Sequence, residues 1–563
     1  MVISLAAFVV MVAAAWTGVV PPTGVIGVRQ GVAIQDTVST ILRKAARTGT
    51  LTGLRWPRFP DYRDELTGLY SGGDWQPVWT KGGRPTAAAR SAVDVLSKAD
   101  ERGLHPDDYD ASLLGGRLEA LERSSVPSAR DVGWFDVALS IEVLRHVSDV
   151  HIGRVNPKNL SVGINAAPTK LDLAKELREA IDRGGVAELV AKAEPGFVQY
   201  HNLKAAYARY RALAADSTIP TVKASGALHR GDAFAGAPAL RRRLAALGDL
   251  SPEATTRDDS YDDALAAGVA RFQARHGLPP DSVFGRATLA AVNVPFAKRV
   301  RQLELALERI RWLPPLEGGP FVVVNVPGFE LYAFDTLRAG GAPGLAMNVV
   351  VGKAEVGRQT PLFERDMKYI VFRPYWVIPP SILKKEIMPA IRRDPGYLAS
   401  HDMEIYRGSG DTGPALPTTS ANLARVSRGE LGIRRRPGPR NDLGLAKFIF
   451  PNDNNVYMHG TPAQALFSRA RRDFSHGCIR LEDPAKFAVW VLRDPNEWSL
   501  TQVRSAMDGS ASRRVNLARP LPVMVLYTTA VVHPDGVVAF YSDVYGHDAR
   551  LEAALAKGYP FAP

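Results

Sequence analysis

A single cysteine, Cys478, is the only thiol among 563 residues. An internal disulfide is therefore impossible, and so is a metal site built on paired cysteines. Acidic residues are also short: 58 Asp and Glu stand against 70 Lys and Arg, a net charge of +12. That excess of cations suits a polyanionic or acidic-polymer neighbourhood. No zinc-finger spacing and no nucleic-acid motif accompanies it, so the charge describes the surroundings and leaves the partner open. The polar background is broken at residues 2–20, which are almost continuously apolar and uncharged. Such a run can span a bilayer or serve as a secretory signal, with the small residues 13–15 as a cleavage point. No Lys or Arg precedes it, so the basic flank usual in export signals is missing. Export is the expectation for residues 1–30, as signal peptide or membrane anchor, with a buried core helix as the alternative. A lone thiol is a liability outside the cytoplasm, and its retention points to a chemical task.

With 46% apolar and 23% charged residues the chain is not disordered, and it is too long for a single core. Residues 31–220 read as helical, apolar positions recurring at helical spacing over 87–97, 135–147 and 171–181. Trp75, Trp79 and Trp134 are expected as packing residues. Residues 221–297 read as three short helices (237–247, 263–276 and 285–293). Leu265, Val269 and Phe272 share one face of the middle helix, which stops at His276-Gly277. A linker helix over 300–312 lies within 298–319. The region 320–550 is strand-like: runs at 321–326 and 331–334 flank Pro327-Gly328, others fall at 369–372, 447–450 and 455–458, and 523–527 and 537–541 flank a second turn at 533–536. An insertion at 376–442, rich in polar, Gly and Pro residues, carries Arg434, Arg435 and Arg436. Its length fits a lid or a disordered excursion. Asp483 is a good N-cap, with Pro484 at the first helical position. The fold class is multidomain α+β.

Chemistry concentrates in Met458-His459-Gly460-Thr461-Pro462 and Ser475-His476-Gly477-Cys478-Ile479-Arg480. A cysteine nucleophile needs a base, because a free thiol has a pKa of about 8.5. It also needs backbone donors facing the oxyanion, and Gly477 lets the main chain approach closely. Arg480 can hold a carboxylate through paired hydrogen bonds. Two other readings stand beside this one: a metal site of His459, His476 and Cys478 completed by Asp473, and an inert cysteine in a structural loop. Acyl transfer is favoured, with the substrate unspecified.

His459, fifteen intervening residues, then Ser475-His476-Gly477-Cys478 resembles the signature of L,D-transpeptidase catalytic domains. The similarity runs from about Phe321 to the helix at Asp483-Pro484. Beyond it, Tyr527-Thr528-Thr529-Ala530 and Asp543-Val544-Tyr545-Gly546 resemble the C-terminal segment of the large periplasmic members. Val269-Ala270-Arg271-Phe272-Gln273, His276-Gly277-Leu278 and Asp281-Ser282-Val283-Phe284-Gly285 resemble the common peptidoglycan-binding domain, departing at Ser282 where glycine is usual. Gly103-Leu104-His105-Pro106-Asp107-Asp108-Tyr109 and Gly153-Arg154-Val155-Asn156-Pro157 resemble the helical scaffold of the same members.

The resemblance implies a helical scaffold, a three-helix peptidoglycan-binding domain and a mostly β catalytic domain with a lid, located in the periplasm or cell envelope. It implies that Cys478 attacks the third residue of a tetrapeptide stem and expels D-alanine, and that a second stem amine resolves the thioester into a 3→3 cross-link. His459 would take the thiol proton, its ring oriented by the Gly460 carbonyl, with His476 as the alternative base. Backbone N–H groups near Gly477 and Cys478 would form the oxyanion hole, with Tyr457 adjacent, and Arg480, Tyr457 and Ser475 would bind the substrate. No metal or organic cofactor is required, and the partners are stem peptides and glycan rather than nucleic acid. The rival outcomes are L,D-carboxypeptidase trimming, attachment of a protein amine to the wall, and a non-catalytic binding scaffold.

Overall fold

The computed structural model describes residues 37–164, 171–251, 259–314, 318–336, 342–494 and 496–559. The apolar run at 2–20 and the export segment expected over 1–30 lie outside them. Among the described residues no helix is long and apolar enough to cross a membrane.

Helical spacing in the amino-terminal part becomes α1 (Ala87–Ser97), α2 (Ala129–Ile152) and α3 (Leu173–Arg183). The α1 N-cap is Thr86, whose hydroxyl accepts from the Ala89 N–H. α2 is buried along most of its length, and several of its buried polar side chains are paired. Asp136 accepts from the Tyr70 hydroxyl and from the Val78 and Trp79 N–H groups, and Arg145 pairs with Glu142. Trp79 is fully buried, and Trp75 and Trp134 pack against the same core. Two distant sequence fragments meet here: Asp108 pairs with Arg154 at 2.9 Å, and the Tyr109 hydroxyl donates to Asp149 at 2.6 Å.

After α4 (Val198–Ala215), the three short helices are α5 (Ala237–Leu247), α6 (Asp263–Arg275) and α7 (Arg286–Val292). Ser282 sits at φ 62°, the left-handed region that glycine adopts freely, which accounts for glycine being usual there. The helix expected over 300–312 is α8 (Phe296–Arg311), which packs on α4 with most of its residues buried. Its charges tie the parts together. Glu308 accepts from the Arg154 and Val155 N–H groups, and Arg309 pairs with Asp548 at 2.6 Å.

The β region is one nine-stranded sheet: β1 (Phe321–Asn325), β2 (Glu330–Phe334), β3 (Leu345–Gly352), β4 (Phe363–Phe372), then, past the insertion strands β5 (Trp376–Val377), β6 (Met403–Tyr406), β7 (Ala415–Leu416) and β8 (Gly432–Arg435), β9 (Ala446–Ile449), β10 (Met458–His459), β11 (Asp473–Ser475), β12 (Ile479–Leu481) and β13 (Arg513–Leu526). Its order is β11-β3-β12-β10-β9-β4-β13-β1-β2, and a further β2–β3 pairing closes it into a barrel-like ring. The β1–β2 hairpin forms as expected around Pro327-Gly328. The 455–458 run contributes only Met458 to a strand. The second hairpin keeps its expected later strand but pairs it with a different partner. β14 (Ala530–Val532) pairs with β15 (Val538–Phe540), because Val523–Leu526 already lies between β4 and β1 with both edges bonded. This small hairpin shares a core with α4, α6 and α8.

The insertion is a folded subdomain instead of a disordered excursion. Strands order as β5-β8-β6-β7, and Ile378, Ile391, Leu398, Met403, Ile405 and Ile433 belong to its own core. The basic run is neither a solvated face nor a free anion site. Arg434 is buried against Glu404 and the Tyr375 and Tyr406 rings, Arg435 pairs with Asp442, and Arg436 pairs with Asp402. Asn441 anchors the return to the sheet, its amide donating to the carbonyls of Pro374 and Arg436. α9 (Pro484–Leu492) begins as predicted, with Asp483 accepting from the Lys486 N–H, and α10 (His547–Leu555) closes the described chain.

Candidate active site

Sequence neighbours alone do not bring Tyr457 to Cys478; strand register does. β10 and β12 run parallel, with Met458 opposite Ile479 and His459 opposite Arg480, and the Ile479 N–H donates to the Tyr457 carbonyl at 3.1 Å. One step upstream on each strand, Tyr457 therefore meets Cys478. The Tyr457 hydroxyl and its backbone N–H both face the sulfur.

The turn that presents Cys478 is held at several points. β11 pairs with β3 through Ser475 and Gly352, then the chain reverses through Gly477 at φ 123°, a conformation that a side chain would strain. The buried Ser475 hydroxyl donates to the Cys478 carbonyl at 2.6 Å and accepts from the Gly477 N–H at 3.1 Å. The Gly477 N–H is thus already engaged within the turn. The Cys478 N–H has no backbone partner among the described residues, and with the Tyr457 hydroxyl it remains available as a donor. From below, the Thr360 hydroxyl donates to the Gly477 carbonyl and accepts from the Gly352 N–H, both at 2.8 Å.

His459 is buried, and its Nδ1 lies 2.5 Å from the Gly460 carbonyl oxygen. A carbonyl can only accept, so Nδ1 carries the proton and Nε2 keeps its lone pair. Burial, with Arg480 beside the ring, lowers the imidazole pKa to about 3 and holds it neutral. His476 turns the other way: it is exposed, and its Nε2 lies 3.0 Å from Glu386 of the insertion. Burial pushes the half-buried Cys478 thiol up, while the Tyr457 N–H and hydroxyl, Lys447 and Arg480 pull it down. Arg480 places a buried Nε without a hydrogen-bond partner at the site.

The structure thus gathers Cys478, Tyr457, His459 and Arg480, with Ser475, Gly460 and Gly477 shaping the backbone, and sets His476 against the insertion. Lys447, Thr360 and Glu386 were not singled out from the sequence. The only available signal was for Lys447, a charge inside the apolar run Ala446-Lys447-Phe448-Ile449-Phe450. Of the insertion carboxylates, Glu386 contacts His476, while Asp411 and Asp442 act electrostatically on Lys447 and Arg480.

Comparison with known proteins agrees with the motifs. Residues 319–513 match the L,D-transpeptidase catalytic domain, residues 64–206 a scaffold domain, and residues 236–292 the family described as "Putative peptidoglycan binding domain". A curated protein of Haemophilus influenzae named "Putative L,D-transpeptidase" is 26% identical over 255 residues, which cover 45% of this chain. The match spans about half, 49%, of that relative's length. Residues 319–513 are an L,D-transpeptidase catalytic domain, which this chain joins to a scaffold domain and a peptidoglycan-binding domain.

Proposed function

We propose that the chain is a cysteine acyltransferase that forms 3→3 cross-links between peptidoglycan stems in the cell envelope. The observation that carries this reading is the position of the sole thiol immediately before β12, against Tyr457, with a buried, neutral, tautomer-fixed His459 on the adjoining strand β10.

In this reading the Cys478 Sγ attacks the carbonyl carbon of the third stem residue while its proton passes to His459 Nε2. The oxyanion that forms takes hydrogen bonds from the Cys478 N–H and the Tyr457 hydroxyl. The C–N bond then breaks, and His459 returns the proton to the amine of the departing D-alanine. The side-chain amine of a second stem attacks the thioester, the C–S bond breaks, and the thiol is regenerated. Arg480 binds a stem carboxylate. The folded insertion, latched by Glu386 to His476, keeps water from the thioester while the acceptor enters. Deleting it would raise hydrolysis relative to cross-linking. The same thioester opened by water gives carboxypeptidase trimming, and opened by a protein amine gives wall attachment.

Intact-protein mass spectrometry of wild type and Cys478→Ala with a purified disaccharide-tetrapeptide, alongside the muropeptide products, tests the reading. A wild-type-only adduct lighter than the donor by one D-alanine, together with 3→3 dimers, is the expected result. An adduct with tripeptide alone would reassign the chain as a carboxypeptidase. Neither adduct nor product would leave a binding scaffold.

A further inference from the structure

We propose that Lys447 supplies the positive charge against which the Cys478 sulfur gives up its proton, an assignment that rests on Cys478 being the nucleophile. Lys447 lies in β9, between β10 and β4, with His459 and Val371 as its register partners. Its strand neighbours Ala446 and Phe448 are fully buried on the other face. The Lys447 Nζ sits 4.1 Å from the centre of the Tyr457 ring, the residue that also faces Sγ through its hydroxyl and its N–H.

An ammonium in such a place is costly unless a charge compensates it. Among the described residues no carboxylate lies within ion-pair distance of Nζ; the nearest acidic influence is Asp411, on the exposed surface of the insertion. Burial destabilises the Lys447 charge, and Asp411 and Cys478 offset part of that effect. The groups facing this ammonium and the sulfur are Tyr457 and His459 from β10, Arg480 from β12 and Asp411 from the insertion. His459 is neutral at rest, so no imidazolium is available to stabilise sulfur anion. Arg480 also acts on the sulfur and is itself drawn towards Asp442. Lys447, opposite His459 in the sheet and over the Tyr457 ring, therefore places a charge against the anion that forms as the proton leaves.

Alkylation of the full-length chain by iodoacetamide reads this directly, because Cys478 is its only thiol. The proton goes to solvent base, an S–C bond forms and iodide leaves, so the rate follows the thiolate fraction. Intact mass measured against time between pH 6 and 10 gives the profile. Lys447→Met is expected to alkylate about tenfold more slowly at pH 8, its profile moved up by about one pH unit, since one unit is a tenfold change in thiolate. Lys447→Arg should recover most of the rate, which a purely structural role for the side chain would not require. If Lys447→Met does not fold, Lys447→Gln is read in the same way. A neutral variant that stays folded with a profile superimposed on wild type overturns the assignment, as does a folded Lys447→Arg with no recovery. Failure of the nucleophile reading looks different: wild type alkylates, yet forms no adduct with tetrapeptide.

Discussion

Thr360→Val tests whether the turn carrying Cys478 is held from beneath by one hydroxyl. Thr360 is 1% exposed, and its Oγ1 sits between the Gly352 N–H and the Gly477 carbonyl at 2.8 Å from each. Valine fills nearly the same volume, so no cavity opens, but one buried N–H and one buried carbonyl lose their partner. Each unsatisfied group costs about 1–3 kcal/mol, which makes roughly 2–6 kcal/mol for the pair. In a domain of this size each kcal/mol moves Tm by about 2–4 °C, so the substitution should lower Tm by roughly 4–24 °C. The loosened Gly477 should also slow formation of the Cys478 adduct with tetrapeptide, and Thr360→Ser should restore both. Differential scanning calorimetry and intact-mass kinetics measure the two effects. A valine variant with wild-type Tm and wild-type acylation would show that the hydroxyl bridge does not hold the turn.

Three further outcomes follow from the same geometry. Because the His459 pKa is lowered to about 3, its base form persists on the acid side of an ordinary histidine; acylation should show no acid limb between about pH 5 and 8, and a limb centred near 6.5 would refute this. Glu386→Gln removes a half-exposed partner of His476, so Tm should hardly move, such pairs contributing about 0–1 kcal/mol, while the ratio of tripeptide to dimer rises; an unchanged ratio would separate the latch from acceptor choice. Arg434→Met strips Glu404 and the Gly410 carbonyl of a buried partner and should cost about 3 kcal/mol, read as faster hydrogen exchange across β6 and β8 with the main sheet unaffected. Equal acceleration in the main sheet would show that the insertion is not an independent folding unit.

Local chemistry was the most legible part of this chain. The helix with a sharp boundary signal appears where expected, at Asp483-Pro484, because capping and proline placement act within a few residues. The hairpin at Pro327-Gly328 was legible for the same reason. Less legible was the partner of Val523–Leu526: its composition announces a strand, but whether that strand joins its sequence neighbour or enters the sheet between β4 and β1 is a competition between distant segments. The three arginines 434–436 read as a charge run, and only folding of the insertion brings Glu404, Asp442 and Asp402 opposite them.

By itself the sequence determined which atom can be the nucleophile, since there is one thiol, and it determined the histidines available to it, the need for glycine at 477 and the family of the surrounding domain. Tertiary structure decided how those groups are used. The parallel register of β10 and β12 sets Tyr457 against Cys478, the Gly460 carbonyl fixes the His459 tautomer, Ser475 occupies the Gly477 N–H, and Glu386 turns His476 towards the insertion. The register of β9 adds Lys447 to the same site. Residue types carry reactivity along the chain, whereas hydrogen bonds and charges act over a few ångströms in space, and only the closed sheet brings those distances about.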